Sequence, residues 1–290
     1  MSKPRIAFLG LGIMGSGMAR RLLANEFPVT VFNRSPEKSK PFAKDGVPVA
    51  KSPRDAASQA DVVISMLADD NAARTLWQGG SGAFAGVKPG TICIECSTVT
   101  VSFIREIAAI AKEKKCELLD CPVTGSKMHA AAGELNFLVG GEPAVLEKVR
   151  PVLAAMSKTI TLLGPSGSGA LVKLINNFVC GVQVAALAEG LAMIERSKLD
   201  HQKALEILTN GAPGSPLVKM VSARMMARDY TPNFLLKLMT KDLRYALEEG
   251  KKSSLDLETA AVALKKFQSA IDANLGDKDM AAIIETLRGR

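Results

Sequence analysis

Gly10-Leu-Gly12-Ile-Met-Gly15 joins a short apolar run, Ile6-Ala-Phe-Leu9, to a stretch with helical periodicity, and no other feature narrows the possible folds so far. A strand, a glycine-rich turn and a helix in that order form a βα unit suited to binding a dinucleotide. The first glycine permits a tight turn, and the second lets a pyrophosphate approach the backbone. The third lets helix and strand pack closely, while the N–H groups that open the helix face the phosphates. Gly10, Leu11, Gly12, Ile13, Met14 and Gly15 are therefore the candidate phosphate cradle. A glycine turn alone is weak and is open to a purely structural reading. The flanking strand and helix favour the functional one.

The end of the second strand decides which dinucleotide is bound. An acidic residue there would hold the ribose 2′-hydroxyl of NAD. Asn33-Arg34-Ser35 offers a guanidinium and a hydroxyl instead, which suit the 2′-phosphate of NADPH. Ser35-Pro36 also reads as the cap of the next helix, a role that leaves Arg34 available.

Through residue 164 the chain alternates strand-like and helical runs. Strands are predicted at Arg5–Leu9, Val29–Phe32, Val47–Ala50, Val62–Met66, Thr91–Glu95, Glu117–Cys121, Leu135–Val139 and Thr159–Leu163. Several are apolar throughout, as when helices cover both faces of a parallel sheet. The pattern predicts an α/β Rossmann domain, with a mostly parallel, doubly wound sheet, over 1–164. From Ser166 a long helical run extends to about Lys198, and further helical stretches follow without strands. An all-α domain, entered through a long interdomain helix, is predicted over 165–290 for substrate binding and oligomerisation.

Composition removes several classes of function. The net charge of +8 is spread along the chain without an aromatic-interleaved basic stripe, so nucleic-acid binding is not expected. A positive field that attracts an anionic cofactor and substrate is the better account. Five cysteines cannot all pair, and Cys93 and Cys96 have no second Cys/His pair at zinc spacing. No metal is expected, and reduced thiols suit the cytoplasm. The first apolar run carries four glycines and is followed by Arg20-Arg21, unlike a signal peptide. No other stretch reads as long and clean enough to span a bilayer.

Gly167-Ser-Gly169-Ala-Leu-Val-Lys173-Leu-Ile-Asn176-Asn177 places Lys173 and Asn177 one turn apart on a helix, amid Leu171, Val172, Leu174, Ile175, Phe178 and Val179. A partly desolvated lysine loses proton affinity and becomes a useful acid or base near neutral pH. Periodicity alone leaves a snorkelling surface lysine as an equal alternative.

The chain resembles the β-hydroxyacid dehydrogenases, which include 3-hydroxyisobutyrate dehydrogenase and the glyoxylate/succinic semialdehyde reductases. The resemblance covers nearly the whole length and rests on five ordered segments. They are the Gly10–Gly15 turn, Glu95-Cys-Ser97-Thr98, Asp120-Cys-Pro122-Val-Thr124-Gly125-Ser126-Lys127, the Lys173/Asn177 helix, and Lys237-Leu-Met-Thr-Lys241-Asp242-Leu. It implies that Lys173 is the catalytic acid/base, that Asn177 orients the substrate, and that Thr124, Gly125 and Ser126 hold the substrate carboxylate. The resemblance also implies that Ser97 joins the substrate contacts, that Met66, Leu67 and Ala68 line the cofactor, that Thr98 contacts it near the nicotinamide ribose, and that Lys241 closes over cofactor and substrate. Two converging lysines would lower each other's proton affinity.

Taken residue by residue, Thr98 or Thr100 could simply cap the following helix, and Lys237 and Lys241 could form a solvated helix face. Thr-Gly-Ser-Lys at 124–127 is similar to the glyoxylate/succinic semialdehyde reductase branch, whereas Met128-His129 departs from both branches. The resemblance thus implies NADPH-dependent reduction of a small carboxylated aldehyde to its hydroxy acid. Oxidation of a 3-hydroxy acid is the alternative, and a non-catalytic NADP-binding interaction module is a more distant one. Imine reductases share the architecture but lack a lysine at the position of Lys173. The apolar helix after Gly169 implies a homodimer or homotetramer. His129 is given no role.

Overall fold

The protein, a computed structural model described over residues 3–288, forms two compact units, Met1–Lys173 and Leu174–Arg290. The first is built on an eight-stranded sheet. Its strands are β1 (Ile6–Leu9), β2 (Val29–Phe32), β3 (Val62–Ser65), β4 (Ile92–Glu95), β5 (Glu117–Asp120), β6 (Val123–Thr124), β7 (Leu135–Gly140) and β8 (Ser157–Gly164). The order is β2-β1-β3-β4-β5-β7-β6, with β8 on β7. Pairs from β2 through β5 are parallel, β7 runs antiparallel to β5 and β6, and β8 is parallel to β7. The mostly parallel sheet expected from the alternating pattern is present.

Four-residue strands such as Ile6–Leu9 and Val62–Ser65 are buried on both faces, which explains why they are apolar without alternation. The intervening helices are α1 (Ile13–Ala24), α2 (Pro36–Lys44), α3 (Pro53–Ser58), α4 (Asp70–Trp77), α5 (Val101–Glu113), α6 (Lys127–Ala132) and α7 (Pro143–Ala154). Phe8, Met18, Leu22 and Phe137 share the core on one sheet face. Trp77, Phe84, Phe103 and Ile107 share that on the other. One strand expectation is corrected. Val47–Ala50 makes only a bridge between Val49 and Val31, in which the Val31 N–H donates to the Pro48 carbonyl and the Ala50 N–H donates to the Val31 carbonyl, because Pro48 has no N–H to continue a ladder. The short β6, α3 and α6 gave too few residues for a periodic signal.

Helix α8 (Ser168–Glu195) runs across the division between the units. It is apolar and long enough to cross a membrane by length and composition, contrary to the expectation above. Its Val184, Ala188 and Leu191 are buried in the core of the second unit. That unit continues with α9 (His201–Asn210), α10 (Pro216–Ala227), α11 (Leu236–Lys252), α12 (Glu258–Asp272), a 3-10 segment (Met280–Ile284) and α13 (Glu285–Arg288). Phe267, Met239, Leu243 and the buried Met280–Ile284 segment fill its centre. Among the described residues it contains no strand, only a bridge between Leu235 and Asp279.

Candidate active site

The glycine turn has the local geometry its spacing requires. Gly10 has φ of 107°, and a Cβ there would lie 2.3 Å from the Met66 carbonyl oxygen, so the backbone after β3 can approach only glycine. A Cβ on Gly15 would lie 2.0 Å from the Gly10 carbonyl oxygen, which explains the close packing of α1 on β1. Gly12 differs, since a Cβ there would meet nothing within 4 Å. The space beside it is open, and α1 starts there without a side-chain cap or an acidic residue in its first turn. Uncapped helix N–H groups beside an open backbone face fit a pyrophosphate.

Asn33 braces this turn. Its Oδ1 accepts the Leu11 N–H at 2.8 Å and its Nδ2 donates to the Ser35 carbonyl at 3.0 Å. Arg34 is exposed beside it. Ser35 occupies the N-cap position of α2 but makes no side-chain capping bond, so capping does not account for its hydroxyl. No carboxylate stands at the end of β2.

Two further strand ends are tied together by a buried carboxylate. Glu95 is fully buried at the end of β4. It accepts the Trp77 indole N–H at 2.8 Å and the Ser97 backbone N–H at 2.7 Å. Burial pushes its carboxyl up, against the pull of these bonds. The Ser97 hydroxyl in turn accepts the Leu67 N–H at 2.7 Å. Ser97 is only 1% exposed, so its hydroxyl is directed into the junction between the loops after β3 and β4. The cap of α5 is Thr100, whose hydroxyl accepts the Phe103 N–H and donates to Asp70. Capping is therefore not what Thr98 supplies.

Asp120, fully buried at the end of β5, is the second such carboxylate. It accepts the backbone N–H of Gly167 at 2.7 Å and of Ala170 at 2.8 Å, and so caps α8. Burial raises its proton affinity and those two backbone bonds oppose the rise. Lys173 lies on α8 three residues beyond Ala170. Thr124, Gly125 and Ser126 follow Asp120 in the chain, with Thr124 in β6 and Ser126 at the N-cap of α6. Asn136 Nδ2 lies 3.4 Å from the Thr124 hydroxyl. His129, which sequence reasoning left without a role, holds Ser126. Its Nδ1 accepts the Ser126 N–H at 3.1 Å and lies 2.9 Å from the Ser126 hydroxyl.

In the second unit, Asn177 and Lys241 converge on Asp242, a residue to which the sequence assigned no function. Asn177 Nδ2 donates to Asp242 Oδ2 at 2.6 Å, and Lys241 Nζ lies 3.0 Å from Asp242 Oδ1. Lys241 also sits over the Tyr245 ring at 4.9 Å. Asn177 is 4% exposed and its Oδ1 accepts from Asn176. The ion pair gives Lys241 a buried counter-charge within its own unit. The acidic partner lies in the Lys-Asp-Leu segment itself, and its adjacency to Lys241 was the available signal. Among the described residues no cluster of His, Cys, Asp and Glu could hold a metal ion.

Residues 5–164 match the family model described as the NAD binding domain of 6-phosphogluconate dehydrogenase. Residues 167–287 match that of the NAD-binding domain of NADP-dependent 3-hydroxyisobutyrate dehydrogenase. The chain is 34% identical over 286 residues to the NAD-dependent L-serine dehydrogenase of Pseudomonas aeruginosa, covering 96% of each. It is 35% identical over 283 residues to glyoxylate/succinic semialdehyde reductase 1 of Arabidopsis thaliana, covering 98% of each. Among solved structures it is similar to Mycobacterium tuberculosis 3-hydroxyisobutyrate dehydrogenase with L-serine. The TM-score is 0.89 at 32% identity, covering 99% of this chain and 100% of that one.

Proposed function

Because the chain belongs to the β-hydroxyacid dehydrogenase family, nicotinamide-dependent oxidoreductases acting on CH–OH groups, we propose that it reduces a small carboxylated aldehyde of the glyoxylate or succinic semialdehyde type, with NADPH as reductant and Lys173 as general acid. The observation that carries this reading is the double role of Asp120. It begins the segment leading to Thr124, Gly125 and Ser126, and it caps the helix bearing Lys173. One buried carboxylate thereby ties the strand that leads into Thr124–Ser126 to the first turn of the helix that bears Lys173, which supports reading them as parts of one site.

A nicotinamide cofactor held there would supply hydride to the carbonyl carbon. The protein's part is placement and proton transfer. Thr124, Gly125 and Ser126 hold the substrate carboxylate through N–H groups and hydroxyls. The Lys173 ammonium stabilises the negative charge developing on the carbonyl oxygen and gives it a proton. In the oxidative direction the neutral amine takes that proton back. Gly10, Leu11, Gly12, Ile13, Met14 and Gly15 hold the pyrophosphate, while Met66, Leu67, Ala68 and Thr98 flank the rest of the cofactor. Ser97 acts by holding Leu67, and in the second unit Asp242 holds Asn177 and Lys241, the residues assigned to substrate. Arg34, with Asn33 and Ser35, selects NADPH through the 2′-phosphate.

Five free thiols suit a cytoplasmic protein. Leu171, Ile175 and Val179, four residues apart along α8, are exposed. That stripe supports a homodimer or homotetramer.

Oxidation of a β-hydroxy acid with NAD is the second reading, favoured by the 34%-identical NAD-dependent L-serine dehydrogenase. A substrate panel separates the two. Glyoxylate and succinic semialdehyde are offered with NADPH or NADH, and L-serine and 3-hydroxyisobutyrate with NADP or NAD. Highest kcat/KM for an aldehyde with NADPH is expected, and highest kcat/KM for L-serine with NAD overturns the proposal.

A further inference from the structure

His129 stands against two of the three residues assigned above to the substrate carboxylate. Its Nδ1 accepts the Ser126 N–H at 3.1 Å and sits 2.9 Å from the Ser126 hydroxyl. Accepting at Nδ1 requires the neutral ring to carry its proton on Nε2. Gly125 has φ of 123°, and a Cβ there would lie 3.1 Å from the Cβ and 3.4 Å from the Cγ of His129. The ring stem thus walls one side of Gly125 while the ring nitrogen occupies Ser126. His129 itself is exposed, as is the neighbouring Met128. Core packing does not explain the imidazole; the Ser126–His129 pair is a reciprocal cap on the start of α6, and it is this cap that engages the Ser126 donors.

An N–H already given to an acceptor is not equivalent to one given to water. A ligand carboxylate must displace the imidazole nitrogen and lose the net worth of that hydrogen bond. We infer that His129 is a specificity-determining residue that moderates the site's preference for carboxylated over uncharged substrates, by holding the Ser126 donors in competition with the substrate. This rests on the reading of Thr124–Ser126 as the carboxylate-binding segment. The competition applies to an anionic acceptor seated on Ser126. A neutral analogue that makes weak use of those donors is affected little.

The test is calorimetric titration of the NADP-loaded protein with glycolate and with its neutral analogue glycolamide. His129→Ala removes the competing acceptor. His129→Gln keeps one at the same helical position, where glutamine can reach back to the N-cap N–H. Glycolate is expected to bind His129→Ala about fivefold more tightly than the wild type, the equivalent of about 1 kcal/mol. Glycolamide changes by less than about twofold, and His129→Gln stays near wild type for both ligands. A residue that only capped α6 would not change the two ligands differently. Unchanged or weaker glycolate binding in His129→Ala, or equal tightening for both ligands, overturns the inference. If neither protein binds glycolate, both this inference and the assignment of the segment fall. If the wild type binds it and His129→Ala binds it equally well, only this inference falls.

Discussion

The carboxylate of Asp120, at the end of β5, accepts the backbone N–H of Ala170 in the first turn of α8 at 2.8 Å, while its other oxygen holds Gly167. Removing it leaves two buried donors unpaired. Asp120→Ala is expected to lower unfolding free energy by about 3–5 kcal/mol, and Asp120→Asn by about 1–2 kcal/mol, read from urea midpoints. In Asp120→Asn, kcat should fall more than about tenfold while the NADPH dissociation constant stays near wild type, because the glycine turn lies elsewhere. Gly169→Ala probes the same joint sterically, since a Cβ there would lie 2.2 Å from the Leu138 carbonyl oxygen.

Glu95 makes stability depend on pH in a defined direction. Its folded proton affinity is raised above the ordinary carboxyl value of 4.5, chiefly by burial. The folded state therefore binds the proton more readily than the unfolded chain does. Its stabilising contribution is fully present below pH 4.5 and is lost as pH rises through the raised folded value. The stability difference between wild type and Glu95→Gln should decline across that window and then level off. Denaturant titrations at half-unit pH steps read it, and a rise with pH would reverse the assignment.

Arg34 is the charge beside the end of β2. Arg34→Asp should raise the KM for NADPH roughly tenfold or more, through loss of a charge-assisted bond and added repulsion. The KM for NADH should hold or improve. Initial rates with the two cofactors at saturating aldehyde give the ratio.

Asp242 holds Asn177 and Lys241 at once. Asp242→Ala leaves an ammonium without its buried partner and should cost about 3 kcal/mol of stability. Asp242→Asn keeps a hydrogen-bond partner for Asn177 and should cost less. Equal melting temperatures for wild type and both variants would show that the cluster contributes nothing to the fold.

What was legible in the sequence was what periodic burial and local chain geometry write there. The apolar runs at Ile6–Leu9 and Val62–Ser65 are strands, and the glycine spacing from Gly10 to Gly15 meets the steric demands of the turn. Val47–Ala50 differs because its apolar residues resemble a strand while Pro48 lacks the N–H a ladder needs. The Lys-Asn spacing on α8 was visible as a one-turn repeat. The carboxylates that support the site were not. Asp120 acts on Ala170, fifty positions away, and Glu95 joins its near neighbour Ser97 to Trp77 on α4, eighteen positions back. His129 looked like a surface residue because exposure and a hydrogen bond to Ser126 are compatible, and composition records neither.

Lys173→Ala, assayed by NADPH oxidation with glyoxylate beside a direct measurement of NADPH binding, bears hardest on the proton-donor role. The dissociation constant for NADPH should stay near wild type while kcat falls by about a thousandfold. Wild-type turnover in a folded Lys173→Ala protein that binds NADPH normally would contradict it.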